Sequence, residues 1–105
     1  MPASNKLTAY VGFSIKARKV VYGYDNVLVS RRVMLVIAIE DINRTAKSEL
    51  VDHCLSHNIP LEWTDAETME ACVHRAGCKC IGLTDASLSR AAQAELARIR
   101  RGSNE

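Results

Sequence analysis

The sequence predicts an α/β protein, a three-layer α/β/α sandwich around a central four-stranded mixed sheet, and three observations lead there. Val33-Met34-Leu35-Val36-Ile37-Ala38-Ile39 is an unbroken apolar run rich in β-branched residues, the pattern of a strand covered on both faces. Segments of helical and strand periodicity alternate along the whole chain, in the order α-β-α-β-α-β-α-β-α. The chain has 105 residues, 48% of them apolar, which suits one core and not two, so residues 1–105 are read as a single domain.

The elements follow in order. Leu7, Val11 and Ile15, with Phe13 beside them, lie at helical spacing and predict a first helix over residues 5–18. Val20-Val21-Tyr22 is a short strand, and a second helix runs from Tyr24 to Arg31. The apolar run 33–39 is the central strand. Leu50, Val51, Cys54 and Leu55 share one face of a third helix from Asn43 to His57, which Asn58 closes. Ile59-Pro60-Leu61-Glu62-Trp63 reads as a strand with its proline at the start or on an edge. Thr64 and Asp65 then cap a fourth helix, with Glu67 three residues after Thr64 in the manner of a capping box, and that helix ends near His74 before Gly77. Cys78 to Leu83 forms the last strand, and Ser87 to Arg101 the last helix, carrying Leu88, Ala91, Ala92, Leu96 and Ile99. The tail, about 102–105, is expected to fray.

One local pattern suggests a ligand. Gly23 permits a tight turn from strand to helix, and Asp25 or Asn26 is placed to accept from the orphan amides of the first helical turn. Those amides, with the positive end of the helix dipole behind them, attract an anion such as a phosphate. An ordinary capped helix explains the same residues without a ligand.

The formal net charge of +2 hides a strong asymmetry. Residues 1–32 carry six Lys or Arg against Asp25, residues 40–70 carry two basic residues against eight acids, and residues 71–105 carry six basic residues against three acids. If the first and last thirds meet in space, one side of the molecule is basic and steers polyanions toward it. Solvated helix faces with no ligand are the alternative.

Other functional classes find little support. Cys54, Cys72, Cys78 and Cys80 match neither a secreted disulfide framework nor a CxxC motif, and reduced thiols are expected. His53, Cys54 and His57 are the nearest approach to a metal pattern, but a structural zinc site needs four ligands, so no metal and no cofactor is assigned. No apolar run has the length of a membrane span and no secretory signal pattern opens the chain, so a cytoplasmic protein without a membrane partner is expected. Glu40, Asp41, Thr64, Asp65, Thr84 and Asp85 fall at strand ends, where Mg²⁺ ligands of an open α/β sheet would stand, yet Asp41, Asp65 and Asp85 are equally explained as helix caps. There is no Gly-rich phosphate fingerprint, GxSxG or HExxH. A non-catalytic protein is expected.

The string Gly12-Phe13-Ser14-Ile15-Lys16-Ala17-Arg18-Lys19-Val20-Val21-Tyr22-Gly23-Tyr24-Asp25-Asn26-Val27, followed by Leu35-Val36-Ile37-Ala38-Ile39-Glu40-Asp41, Asn43-Arg44-Thr45-Ala46-Lys47 and Ile81-Gly82-Leu83-Thr84-Asp85, resembles the L-seven-Ae/L-thirty-e ribosomal protein superfamily. Within it, the small bacterial YlxQ-type members are most similar, over roughly residues 7–96. The resemblance implies an α/β/α sandwich and, from its best-known members, binding to kink-turn RNA. In those relatives a Gly-x-Asn-Glu segment followed by a Lys grips the RNA, together with an apolar loop before the last strand. The first falls here on Gly23-Tyr24-Asp25-Asn26, with Val29 where the Lys stands, and the second on Val73-His74-Arg75-Ala76-Gly77.

The residues and the resemblance together predict an RNA-binding protein docking on structured RNA, ribosomal RNA or the ribosome included, with no DNA partner. Lys16, Arg18 and Lys19 are expected at phosphates, Gly23, Tyr24, Asp25 and Asn26 at the turn, Arg31 and Arg32 along the same basic strip, and Val73, His74 and Arg75 at the second loop. Tyr24 either stacks on an exposed base or covers the core. The alternatives are a protein-interaction module of the same fold docking through its acidic 40–70 face, and, more remotely, a Mg²⁺-dependent phosphate-handling enzyme using Asp41 and Asp85.

Overall fold

The computed structural model describes residues 5–102. Along the chain run α1 (Asn5–Lys16), β1 (Val20–Tyr22), α2 (Tyr24–Val29), β2 (Leu35–Ile39), α3 (Arg44–His57), β3 (Leu61–Thr64), α4 (Ala66–Val73), β4 (Cys80–Leu83) and α5 (Ala86–Gly102). The sheet order is β1-β4-β2-β3, with β4 antiparallel to both β1 and β2, and β2 parallel to β3. The sheet is therefore mixed. Helix α1 packs on α4 and α5, while α2 packs on α3, which supplies the layers of an α/β/α sandwich. All five residues of β2 are buried, as an apolar run without alternation requires when both faces are covered.

Several element ends differ from the sequence expectation, each for a local reason. Helix α1 stops at Lys16 because Arg18 adopts a left-handed conformation at φ 60. There the Lys19 amide donates to Ser14 O at 2.8 Å and the Arg18 amide to Ile15 O at 3.0 Å, the paired bonds of a Schellman turn. Strand β2 starts at Leu35 rather than Val33. Val33 leaves the ladder to press its methyls onto Gly82, where a Cβ would meet them at 2.8 and 2.9 Å. Cys78 and Lys79 fall before β4, and Ile59 and Pro60 before β3. Ile59 instead completes the turn at the end of α3, its amide donating to Cys54 O at 2.9 Å while Asn58 sits at φ 61.

The caps also rearrange. Asn43 caps α3, its Oδ1 accepting from the Ala46 amide at 2.8 Å, so Asp41 stands short of the helix it was expected to cap. Asp65 alone caps α4, accepting from Thr68 N at 3.1 Å, and Thr64 remains in β3. That bond holds the Asp65 carboxyl below its usual range. Asp85 accepts from Leu88 N at 2.8 Å, as a cap of α5 should. Of the apolar faces, Phe13, Leu55 and Ile99 point to solvent, and Ser14 is buried in α1 with its hydroxyl donating to Tyr10 O. Of the tail expected to fray, Gly102 ends α5 and residues 103–105 lie outside the described residues.

Candidate nucleic-acid interface

The carboxyl end of β4 organises the basic residues. The Thr84 amide donates to Lys19 O at 2.9 Å, which fixes the chain leaving α1, and the Met34 amide donates to Leu83 O at 2.7 Å, which fixes the chain entering β2. Between these two anchored segments lies a cleft of about 720 Å³ lined by Arg18, Lys19, Val20 and Val21 on one side and by Ser30, Arg31, Arg32, Val33 and Met34 on the other, with Thr84 between them. None of these lining residues is acidic. Gly82 contributes indirectly: only a residue without a Cβ lets Val33 settle on the sheet, and Val33 carries Arg31 and Arg32 to the cleft. The Arg32 amide also donates to Ser30 Oγ at 3.4 Å, which bends the loop between them. Four cations thus converge although Arg18 and Arg31 are separated by a strand and a helix. Lys16, exposed in the last turn of α1, flanks this group.

The remaining predicted residues gather at the opposite end of the β1–β4 pair. Val20 faces Leu83 and Tyr22 faces Ile81, so the chain reaches Gly23 beside Cys80, whose carbonyl accepts from Gly23 N at 2.9 Å. The step from Lys19 to Gly23 is four residues of extended chain, about 13 Å. Gly23 is the N-cap of α2 at φ 89, without a side-chain cap bond. Asp25 and Asn26 therefore do not accept from the first-turn amides as expected; Asn26 Nδ2 instead donates to Tyr22 O at 2.9 Å. With six residues, α2 is too short to make its N-terminus an anion site on its own. Tyr24 packs on the core and donates its hydroxyl to Glu49 Oε1 at 2.9 Å. That bond and the neighbouring carboxylate push the phenol pKa up. The ring is half-buried, with one side on the core.

The loop after α4 behaves in the same mixed way. Val73 is 4% exposed and belongs to the core, so it is not a surface contact as predicted. His74 takes a left-handed conformation at φ 58 and ends α4 with its side chain exposed. Arg75 lies over the Tyr22 ring, 3.9 Å from its centroid, in a cation–π contact that holds one guanidinium above the edge strand. Gly23, Asn26, His74 and Arg75 thus mark a second, smaller polar patch.

The other candidate sets do not assemble. Cys54 turns into the core while His57 is exposed, and the His53 and His57 rings stack at 4.3 Å with His57 Nδ1 3.0 Å from His53 O. Burial and the adjacent His57 push the His53 pKa down, and the His53 Nε2 is buried without a hydrogen-bond partner. Among the described residues no group of three His, Cys, Asp or Glu is placed to hold a metal ion. No helix among them is long and apolar enough to cross a membrane. The four thiols are free, and burial pushes Cys80 up to about 12.

The sequence did not mark Met34 or Val33 as cleft residues, because an apolar run reads as strand interior. The signal was present in Arg31-Arg32 running directly into that run, which leaves its first residues no room to enter the ladder.

No family model matches the chain, and no curated protein does. Among solved structures it is similar to a protein with unknown function from Bacillus halodurans C, with 26% sequence identity and a TM-score of 0.83 over 90% of this chain and 99% of that one.

Proposed function

We propose that this is a non-catalytic, cytoplasmic RNA-binding protein that docks on structured RNA, kink-turn-like or ribosomal, as a ribosome-associated component. The observation that carries the reading is the convergence of Arg18, Lys19, Arg31 and Arg32 on one cleft free of acidic lining. Converging cations without a compensating carboxylate raise the local potential and leave their charge for a ligand. Phosphates are the matching partners, and arginine adds a planar fork that grips them bidentately. The Gly23–Asn26 turn with His74 and Arg75 offers a second contact one strand length away, where the same RNA can reach it. This agrees with what the resemblance implies.

The test is filter retention and titration of a kink-turn RNA, a plain hairpin of equal length and ribosomal RNA across a salt series. The wild type is compared with the triple variant Arg18→Glu, Lys19→Glu, Arg31→Glu. All three positions are exposed, so the fold should persist. The wild type is expected to lose affinity with a log–log salt slope of about −3, as roughly four neutralised phosphates demand. The variant is expected to lose retention. Unchanged behaviour of the variant would remove this reading and favour a protein-interaction module docking through the acidic 40–70 segment.

A further inference from the structure

We infer that the open edge of β1 lies in the minor groove of an RNA double helix, its backbone groups on 2′-hydroxyls and the cations at its two ends on the phosphates that border the groove. The inference rests on the RNA-binding reading and names the part of the RNA that meets the sheet.

β1 is an edge strand, bonded on one side to β4 and on the other to no strand among the described residues. In the β1–β4 ladder the amide of Thr84 bonds Lys19 and the amide of Gly23 bonds Cys80, so residues 19, 21 and 23 direct their backbone groups toward β4. By the alternation of an antiparallel pair, Val20 and Tyr22 turn theirs outward, away from the sheet. Asn26 Nδ2 donates to the Tyr22 carbonyl at 2.9 Å, which leaves the Val20 amide and carbonyl and the Tyr22 amide without a partner among the described residues. Two donors and one acceptor therefore stand in a row about 7 Å long. A bare edge of this kind is a template for a further partner.

Charge at both ends of the edge selects that partner. Arg18 and Lys19 stand at the start of the strand, with Arg31 and Arg32 across the cleft. At its other end Arg75 lies 3.9 Å from the Tyr22 ring centroid, with His74 exposed beside it. Stacking uses the face of the guanidinium and leaves its N–H fork free in the plane of the group. Two β1 edges paired with each other set Lys19 against Lys19 if parallel and Lys19 against Arg75 if antiparallel, which disfavours a second copy of the chain. A nucleic-acid groove instead offers two lines of phosphates with polar groups between them. The minor groove of A-form RNA is wide and shallow and displays 2′-hydroxyls, each a donor and an acceptor. The RNA major groove is too deep and narrow for a strand edge, and the minor groove of B-DNA is only about 6 Å wide. An edge with cations at both ends of about 13 Å of strand matches the first of these grooves.

The experiment compares an RNA hairpin with the same hairpin carrying 2′-fluoro riboses throughout its stem, which keeps the A-form and the phosphates and removes the hydroxyls. Wild-type protein and Val20→Pro are titrated with both, and the Val20 and Tyr22 amide signals of the wild type are followed by NMR. An edge strand tolerates proline where its N–H points outward, so the variant loses one donor and keeps the ladder to β4. The hydroxyl hairpin is expected to bind wild type at least about fivefold tighter than the fluoro hairpin, and to move both amide signals. Val20→Pro is expected to bring that preference down to about twofold or less. Equal binding of the two hairpins by wild type, or amides that stay unmoved, overturns the minor-groove docking and leaves RNA binding intact. If neither hairpin nor ribosomal RNA binds, the RNA reading falls with it. Amide signals that already shift with protein concentration alone give the edge to a second copy of the chain and overturn the proposal. Should Val20→Pro fail to fold, as its amide spectrum would show, the wild-type comparison decides by itself.

Discussion

Arg18 combines two roles that oppose each other. At φ 60 it occupies the left-handed position that ends α1, where glycine is the relaxed choice and any other side chain costs on the order of 1 kcal/mol. The same conformation aims the chain into β1 and puts the guanidinium on the cleft wall. Arg18→Gly is therefore expected to raise stability by about 0.5–1 kcal/mol in urea unfolding, and to weaken RNA binding severalfold in titration. A change of the same sign in both measurements would show that Arg18 serves the fold alone. Single-residue conformation was only partly legible. Asn58 announced its left-handed cap because asparagine tolerates that region, and Gly23 did so as a glycine, whereas nothing in an arginine's chemistry marks it for φ 60. Asp25 and Asn26 misled for a related reason: they have capping side chains, but the chain enters α2 with Gly23 at the cap and turns Asn26 back toward Tyr22.

At the scale of elements, β4 does more than complete the sheet. Its Gly82 receives Val33, its Leu83 carbonyl holds Met34, and Thr84 just beyond it holds Lys19. Gly82→Ala would drive a methyl into the Val33 side chain and is expected to cost about 1–3 kcal/mol in denaturant unfolding. Shortening the partner as well should relieve the clash, so Gly82→Ala with Val33→Ala is expected to be less destabilised than the two single changes summed. Strict additivity in that cycle would mean that Gly82 and Val33 do not share the space. Every element was legible, the longer ones from an apolar stripe at helical spacing or a buried run, β1 and α2 only as short segments between them. Their ends were less legible because tertiary contacts decide them. Val33 looks like the first residue of a strand until Gly82 is seen beneath it.

For the whole molecule, the charge blocks read from the sequence gain meaning from topology: α1 packs on α5 and β1 pairs with β4, so the first and last thirds do meet. What could not be read was their partition into two patches at opposite ends of β1, because that depends on a register formed between residues some sixty positions apart. The cysteines offer a global probe of the same assembly. Cys54, Cys72 and Cys80 are buried in α3, α4 and β4, while Cys78 is half-buried in the loop between α4 and β4. With a thiol reagent at neutral pH, Cys78 is expected to react first. The other three should follow together at the rate of global opening, since three separate elements must give way. Mass spectrometry of the labelled protein distinguishes this from three unrelated rates, which would indicate independent local unfolding.

The bond from Thr84 to Lys19 has a consequence for the order of events during synthesis. One wall of the cleft is translated early, but its anchor arrives only with the last strand, and closing so long a loop is among the slower steps of folding. A nascent chain emerging from the ribosome therefore displays its arginines and lysines long before it has a cleft to hold them in. Until β4 has left the exit tunnel, the wall that carries Arg18 and Lys19 lacks the bond that fixes it.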